Sequence, residues 1–399
     1  MKNAKKLYSI KYLKNPTCRF FTGYKSCPMA IKYKTACPTK HCLPVGRRLL
    51  IIEMGGLGSI LRTTVVAKEY KRKYKNSHIT FFTKTEGVEV LKLSPYIDRV
   101  MADDLRNIII LLSEEFDEIY NFEINEMARG LTKLTRARNK YGFTMNPNGL
   151  PKLANSVSAD LFRFQVDDYF RENNTKSIQQ LLIEGVGMKW KKQRYDILLK
   201  KEDLEFANQF IARNELSKKM VVGLNIGSRK IHAKKRWPLE YFILLAKQLI
   251  DIPNIQPVIF AGPEEKEIYN YAISKLDKLG IIGTGHDNSI GRYLALILKC
   301  EVFVSATTFG LLAANGLGVK TVTICSPKPY HEINDYDNGI KITNDYKYDP
   351  DYSSKIDELS LDEYEIGLKE IPVKDVFMAV KDALANNFSS PVRVISKRN

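Results

Sequence analysis

The chain contains no apolar run approaching the ~18 residues needed to cross a bilayer; residues 107–112 suit at most a buried strand or helix. Its amino-terminal stretch lacks the apolar core and small-residue cleavage site of a signal peptide, so we expect a cytoplasmic protein. No Gly-Lys-Ser/Thr phosphate loop is present, which argues against an ordinary kinase or nucleotide triphosphatase. Neither a serine-hydrolase elbow nor a His-Glu-x-x-His helix occurs, leaving nucleophilic hydrolysis and zinc proteolysis without support. Acid is also missing from the first fifty residues, which carry about a dozen lysines and arginines. That block favours an anionic partner, and we expect peripheral contact with an anionic membrane at the inner face of the plasma membrane. Nucleic acid is not expected, because no helix-turn-helix, zinc-finger or RNA-binding-sheet signature accompanies the charge.

What the sequence does hold is enough for two domains. It has 399 residues, a net charge of +17 and 44% hydrophobic residues, normal for a globular protein. Apolar runs alternate with amphipathic stretches: a strand at 48–53, glycines 55, 56 and 58, a helix at 59–74, and a strand at 77–83. The rhythm continues to a strand at 118–122, pauses over a polar, irregular section at 125–201, and restarts with a strand at 220–225. Repeated βαβ units of this kind build doubly wound parallel sheets, which bind ligands beyond the carboxyl ends of their strands. We therefore expect an α/β fold of two Rossmann-like domains facing across a cleft. Residues 1–46 form a basic leader, 47–200 the first domain, 201–372 the second, and 373–399 a last helix and tail placed to cross back to the first domain.

Within the second domain, an apolar run ends at Gly227, a basic loop follows, and Trp237-Pro238 opens an amphipathic helix. Pro238 fits a first helical turn. Free N–H groups there, with Lys235 and Arg236 beside them, suit a phosphate. The first turn has Gly56 and Gly58, but Leu61 stands where a dinucleotide fingerprint needs a third small residue. The second strand ends in Thr83-Lys84-Thr85, without the acid that would hold a ribose, which argues against a nicotinamide dehydrogenase.

The segment from Arg48 to Thr64 (RLLIIEMGGLGSILRTT) resembles the opening of the ADP-heptose:lipopolysaccharide heptosyltransferases, the family 9 glycosyltransferases. The stretches 223–240, 262–265, 283–285 with Asn288-Ser289, and 171–176 fall where that family has its other motifs, in the same order. The resemblance implies a GT-B fold and a metal-independent, inverting transfer of a sugar, with heptose the first candidate, from a nucleotide-diphosphate donor. A lipopolysaccharide or other glycolipid or oligosaccharide precursor would be the acceptor. By the same resemblance Lys235 and Thr308 hold the diphosphate, Glu264 or Glu265 lies near the nucleoside, and Gly56, Gly58, Arg236, Asn288 and Thr307 complete the donor site. No catalytic cofactor is implied.

The departures matter equally. Ser59 stands at the family's catalytic aspartate and cannot act as a carboxylate base. Thr307-Thr308 replaces an Asp-Thr pair, Leu312 takes the place of a histidine, and Glu53 replaces a basic residue at the end of the first strand. Either Glu53 serves as the base, or the chain keeps the scaffold to bind a nucleotide sugar or a partner without catalysis. Cys18, Cys27, Cys37 and Cys42 form a separate cluster in the leader. Clustered thiols in a reducing compartment suggest a structural zinc site.

Overall fold

The computed structural model describes residues 18, 27–34, 43–227, 236–325, 330–344 and 368–395. Lys235, Cys37 and Cys42 lie outside these residues. Two sheets organise the chain. The first runs β3-β2-β1-β4-β5-β6, formed by Arg48–Ile52 (β1), His78–Thr83 (β2), Arg99–Ala102 (β3), Glu115–Asn121 (β4), Arg136–Met145 (β5) and Pro151–Leu153 (β6). All its pairings are parallel except β5 with β6.

The second sheet is parallel throughout and runs β13-β12-β11-β10-β7-β8-β9. Its strands are Met220–Asn225 (β7), Ile255–Phe260 (β8), Ile282–Gly283 (β9), Val302–Ala306 (β10), Lys320–Ile324 (β11), Gly339–Asn344 (β12) and Val392–Ile395 (β13). The chain is an α/β protein with two parallel-sheet domains.

The central strands are apolar along their whole length because helices cover both faces. On β1, Leu49 and Ile51 join one core while Leu50 and Ile52 join another. The helix Leu57–Lys73 (α1) follows β1 and packs one face, burying Ile60, Leu61, Val65 and Val66. Helices Leu105–Ser113 (α2) and Glu126–Leu134 (α3) cover the other through Leu111, Ala128 and Leu131.

Two sequence expectations change. The section at 125–201 is not irregular: it holds α3, β5, β6, Ala159–Val166 (α4) and Ile178–Glu184 (α5). The ten-residue β5 has mostly polar, partly exposed side chains, so it shows no apolar run although it pairs along β4. The last helix also does not cross back. Val373–Leu384 (α6) buries Val376, Ala379, Val380 and Ala383 in the second domain's core with Leu245 and Ile340. The strand β13 then extends the second sheet. Trp237 fixes this return: it is almost fully buried, and its indole N–H donates to the Ile371 carbonyl at 3.0 Å.

The domains meet where Gly58, in the first turn of α1, lies against Phe309–Leu317 (α7). A Cβ on Gly58 would stand 2.7 Å from Leu312 Cδ1. On the segment between the domains, the buried Tyr195 hydroxyl donates to the Leu312 carbonyl.

Candidate active site

In each sheet the strand order reverses at one point, between β1 and β4 and between β7 and β10. Crevices at such points bind ligands in open α/β sheets. Each crevice here carries one of two adjoining pockets, and Ser59, Arg62 and Ile178 line both.

The first is a cavity of about 170 Å³. Because Ile52 of β1 is in register with Asn121 of β4, Glu53 and Glu123 leave neighbouring strand ends and both line it. Glu53 is buried and accepts a hydrogen bond from the Gly55 N–H at 2.8 Å. Burial, then the Glu123 charge, push its pKa up to about 7, against the opposing pull of the Gly55 N–H, Arg62 and Thr63. A carboxyl tuned there can hold or release a proton near neutrality, as a general base must. Phe122, Phe164 and Leu182 supply an apolar wall. Ser59 accepts from Arg62 Nη2 at 3.1 Å, so the residue at the family's acid position receives a hydrogen bond from a cation.

The second is a cleft of about 590 Å³, the size of a small-ligand site. It gathers Gly56, Gly58, Glu264, Glu265, Asn288, Thr307 and Thr308 from the residues singled out by sequence. Arg236 is not among the lining residues. It pairs with Glu265 at 3.6 Å, and burial lowers its pKa. Glu265 also accepts from the Gly262 N–H at 2.9 Å, and burial raises its pKa. Asn288 donates to the Thr284 carbonyl at 2.8 Å, which fixes its side chain at the cleft edge.

Thr308 does more than the sequence reading assigned to it. Its hydroxyl caps α7 by accepting from the Leu311 N–H at 3.3 Å, and it accepts from Asn225 Nδ2 at 3.0 Å. Ser305 Oγ lies 2.9 Å away. The Tyr293 hydroxyl donates to Asn225 Oδ1 at 3.2 Å, completing a network behind the helix start. Phe309 and Gly310, the first residues of α7, line the cleft at the positive end of its dipole.

Sequence reasoning missed Arg62, Glu123, Glu332 and Asn225. Arg62 sits three residues after Ser59, a spacing that puts both on one helix face. Glu123 follows β4 as Glu53 follows β1, so the matching strand ends were a usable signal. Glu332 has no local signal, because folding alone brings it to the cleft. Of the four leader cysteines, Cys18 and Cys27 are buried and not in disulfides. Among the described residues no three metal-ligating side chains come together.

A family model described as glycosyltransferase family 9 (heptosyltransferase) matches residues 110–354. No curated protein matches the chain by sequence. Among solved structures, the family 9 glycosyl transferase from Veillonella parvula DSM 2008 is similar with a TM-score of 0.68 and 18% identity, over 85% of this chain and 98% of that one. The E. coli ADP-heptose lps heptosyltransferase II is similar with a TM-score of 0.64 and 14% identity, over 86% of this chain and 100% of that one. E. coli heptosyltransferase WaaC with ADP gives 0.57 and 13%, over 84% of this chain and 99% of that one. At these identities the structural likeness is one of fold, the GT-B arrangement of two domains.

Proposed function

The chain belongs to glycosyltransferase family 9, and from that membership we propose that it moves a sugar, a heptose in the first instance, from a nucleoside-diphosphate donor to a hydroxyl of a lipopolysaccharide or other surface-glycan precursor. The donor would occupy the larger cleft. E. coli heptosyltransferase WaaC has been solved with ADP, which makes ADP-heptose the first donor to test. The acceptor hydroxyl would enter the smaller cavity, and its oxygen attacks the anomeric carbon. Its proton passes to Glu53 as the bond from that carbon to the diphosphate oxygen breaks and the nucleoside diphosphate leaves. One displacement of this kind inverts the anomeric configuration and needs no metal. Negative charge gathering on the leaving diphosphate is met by the start of α7 and by Lys235, groups that act most strongly in the transition state.

The observation that carries this reading is the position of Glu53: a buried carboxyl, proton-accepting near neutrality, lining a cavity that adjoins the cleft. It offers a base where Ser59 cannot be one. The basic leader would hold the protein against an anionic membrane, and Cys18, Cys27, Cys37 and Cys42 would bind a structural zinc. The test is a thermal-shift panel of ADP, GDP, UDP, CDP and their sugars, followed by a transfer assay with the nucleotide that responds. A ligand at about 100 times its dissociation constant stabilises the fold by about 2.7 kcal/mol, enough to move the melting point by a few degrees. A selective shift with transfer that Glu53→Gln abolishes is expected. A selective shift without transfer would favour a nucleotide-sugar-binding protein that has lost catalysis, and a flat panel would remove the donor site.

A further inference from the structure

Among the described residues, the lining of the larger cleft holds more acid than base. Glu264, Glu265 and Glu332 line it, and among the described residues Arg62 is the one lysine or arginine that does. A diphosphate brings two or more negative charges, so there is room for a second cation beside the Lys235 proposed above. Arg62 comes from the first domain, on the first turns of α1, and it also lines the cavity that holds Glu53. We infer that Arg62 grips the donor's diphosphate from across the domain boundary, and that seating the donor draws its charge away from Glu53, leaving that carboxylate a stronger base. This rests on the reading of the larger cleft as a donor site.

The charged and polar groups around the pair are consistent with a transferable cation. Arg62 donates to the neutral Ser59 hydroxyl at 3.1 Å, and it feels the charge of Glu53, then of Glu332 and the Tyr195 phenol. Its desolvation weakens the hold on its proton, while the two carboxylates strengthen it. Glu53 in turn is surrounded by the Gly55 N–H, the Thr63 hydroxyl, Arg62 and Glu123. Of these only Arg62 is a cation, and its charge ranks after the fixed Gly55 N–H among the influences that favour the carboxylate, so it is the one that a movable side chain could withdraw. The direction is then fixed. With a diphosphate added and the guanidinium turned to it, Glu53 holds its proton more tightly, and the protein takes up protons as the donor binds near pH 7.

The full chain, its Arg62→Gln and Arg62→Lys variants and Glu53→Gln can each be titrated with ADP and with adenosine by calorimetry, in two buffers of different ionisation heat. Arg62→Gln should bind ADP ten- to a hundredfold more weakly while adenosine binding changes less than twofold, and Arg62→Lys should recover part of the loss. Wild-type protein should take up a measurable fraction of a proton on binding ADP at pH 7, and Arg62→Gln and Glu53→Gln should not. ADP binding by a folded Arg62→Gln within twofold of wild type, or proton uptake unchanged in Glu53→Gln, would overturn the inference while leaving the donor site standing. Should Arg62→Gln not fold, unchanged ADP affinity in Arg62→Lys at high salt and low salt alike would overturn it too. If the wild type binds no nucleoside diphosphate, the donor site falls and this inference with it.

Discussion

Glu53 and Glu123 stand at the ends of adjacent hydrogen-bonded strands, one residue beyond Ile52 and two beyond Asn121, and both line one small cavity. Burial first, and then the Glu123 charge, make the ionised form of Glu53 costly.

The pH dependence of transfer follows from that pair. kcat/KM for the donor should fall as pH drops below about 7, where Glu53 of the free protein becomes protonated and can no longer accept the acceptor's proton, and the acid limb of kcat, set by the donor complex, should lie higher. Glu53→Gln should reduce kcat by about 10²–10⁴-fold. A kcat profile whose acid limb lies near 4 would assign the base elsewhere.

Stability should move the opposite way. The folded pKa of Glu53 lies above the 4.5 of a free glutamate, so the folded state holds the extra proton between about 4.5 and 7. Stability therefore falls as pH rises through that window. Glu53→Gln should raise the melting point at pH 8, by up to about 3 kcal/mol of stability, and change it little at pH 4. Equal effects at both pH values in thermal melts would contradict the strained carboxylate.

Gly58 sets how closely the domains meet. A Cβ there would fall 2.7 Å from Leu312 Cδ1, so Gly58→Ala should press α1 from α7 and raise the KM for donor several-fold. Because the clash is with the end of a flexible side chain, Leu312→Ala in the same chain should relieve it. A double-mutant cycle showing no coupling between the two would count against this contact.

Trp237 belongs to the motif that sequence linked to phosphate, yet its side chain is core. Trp237→Ala should destabilise the protein by about 3–5 kcal/mol and lower nucleotide affinity only through unfolding. Denaturant melts together with ADP titration of the folded fraction separate the two effects.

The leader cysteines predict metal. Purified protein should carry about one zinc per chain by elemental analysis, and Cys18→Ser with Cys27→Ser should lose it without abolishing nucleotide binding. A metal-free, fully folded preparation from zinc-replete cells would leave these thiols unligated.

Much of this protein is set by local sequence. Periodicity suffices for β1, β2, β7, β8 and β10, because a strand covered on both faces must be apolar along its length. The glycines of the first turn and the Trp237-Pro238 helix start are local for the same reason: they obey backbone rules. Strand β5 escaped, since a polar strand beside a covered sheet has no apolar period to read. The course of α6 escaped too, because an amphipathic face declares that it will be buried but not against which sheet.

The candidate site divides in the same way. Gly56, Thr308 and Glu265 could be found from motifs, whereas the meeting of Arg62 with Glu53, Glu123 and Glu332 could not. Those four come from α1, two strand ends and a distant turn, and their charges act on one another only when folding brings them within a few ångströms in a dry environment. Sequence by itself determined the fold class and the strand ends from which function projects. Tertiary structure alone decided which charges face one another there, because electrostatic coupling depends on separation in space and on desolvation, and neither is a property of position along the chain.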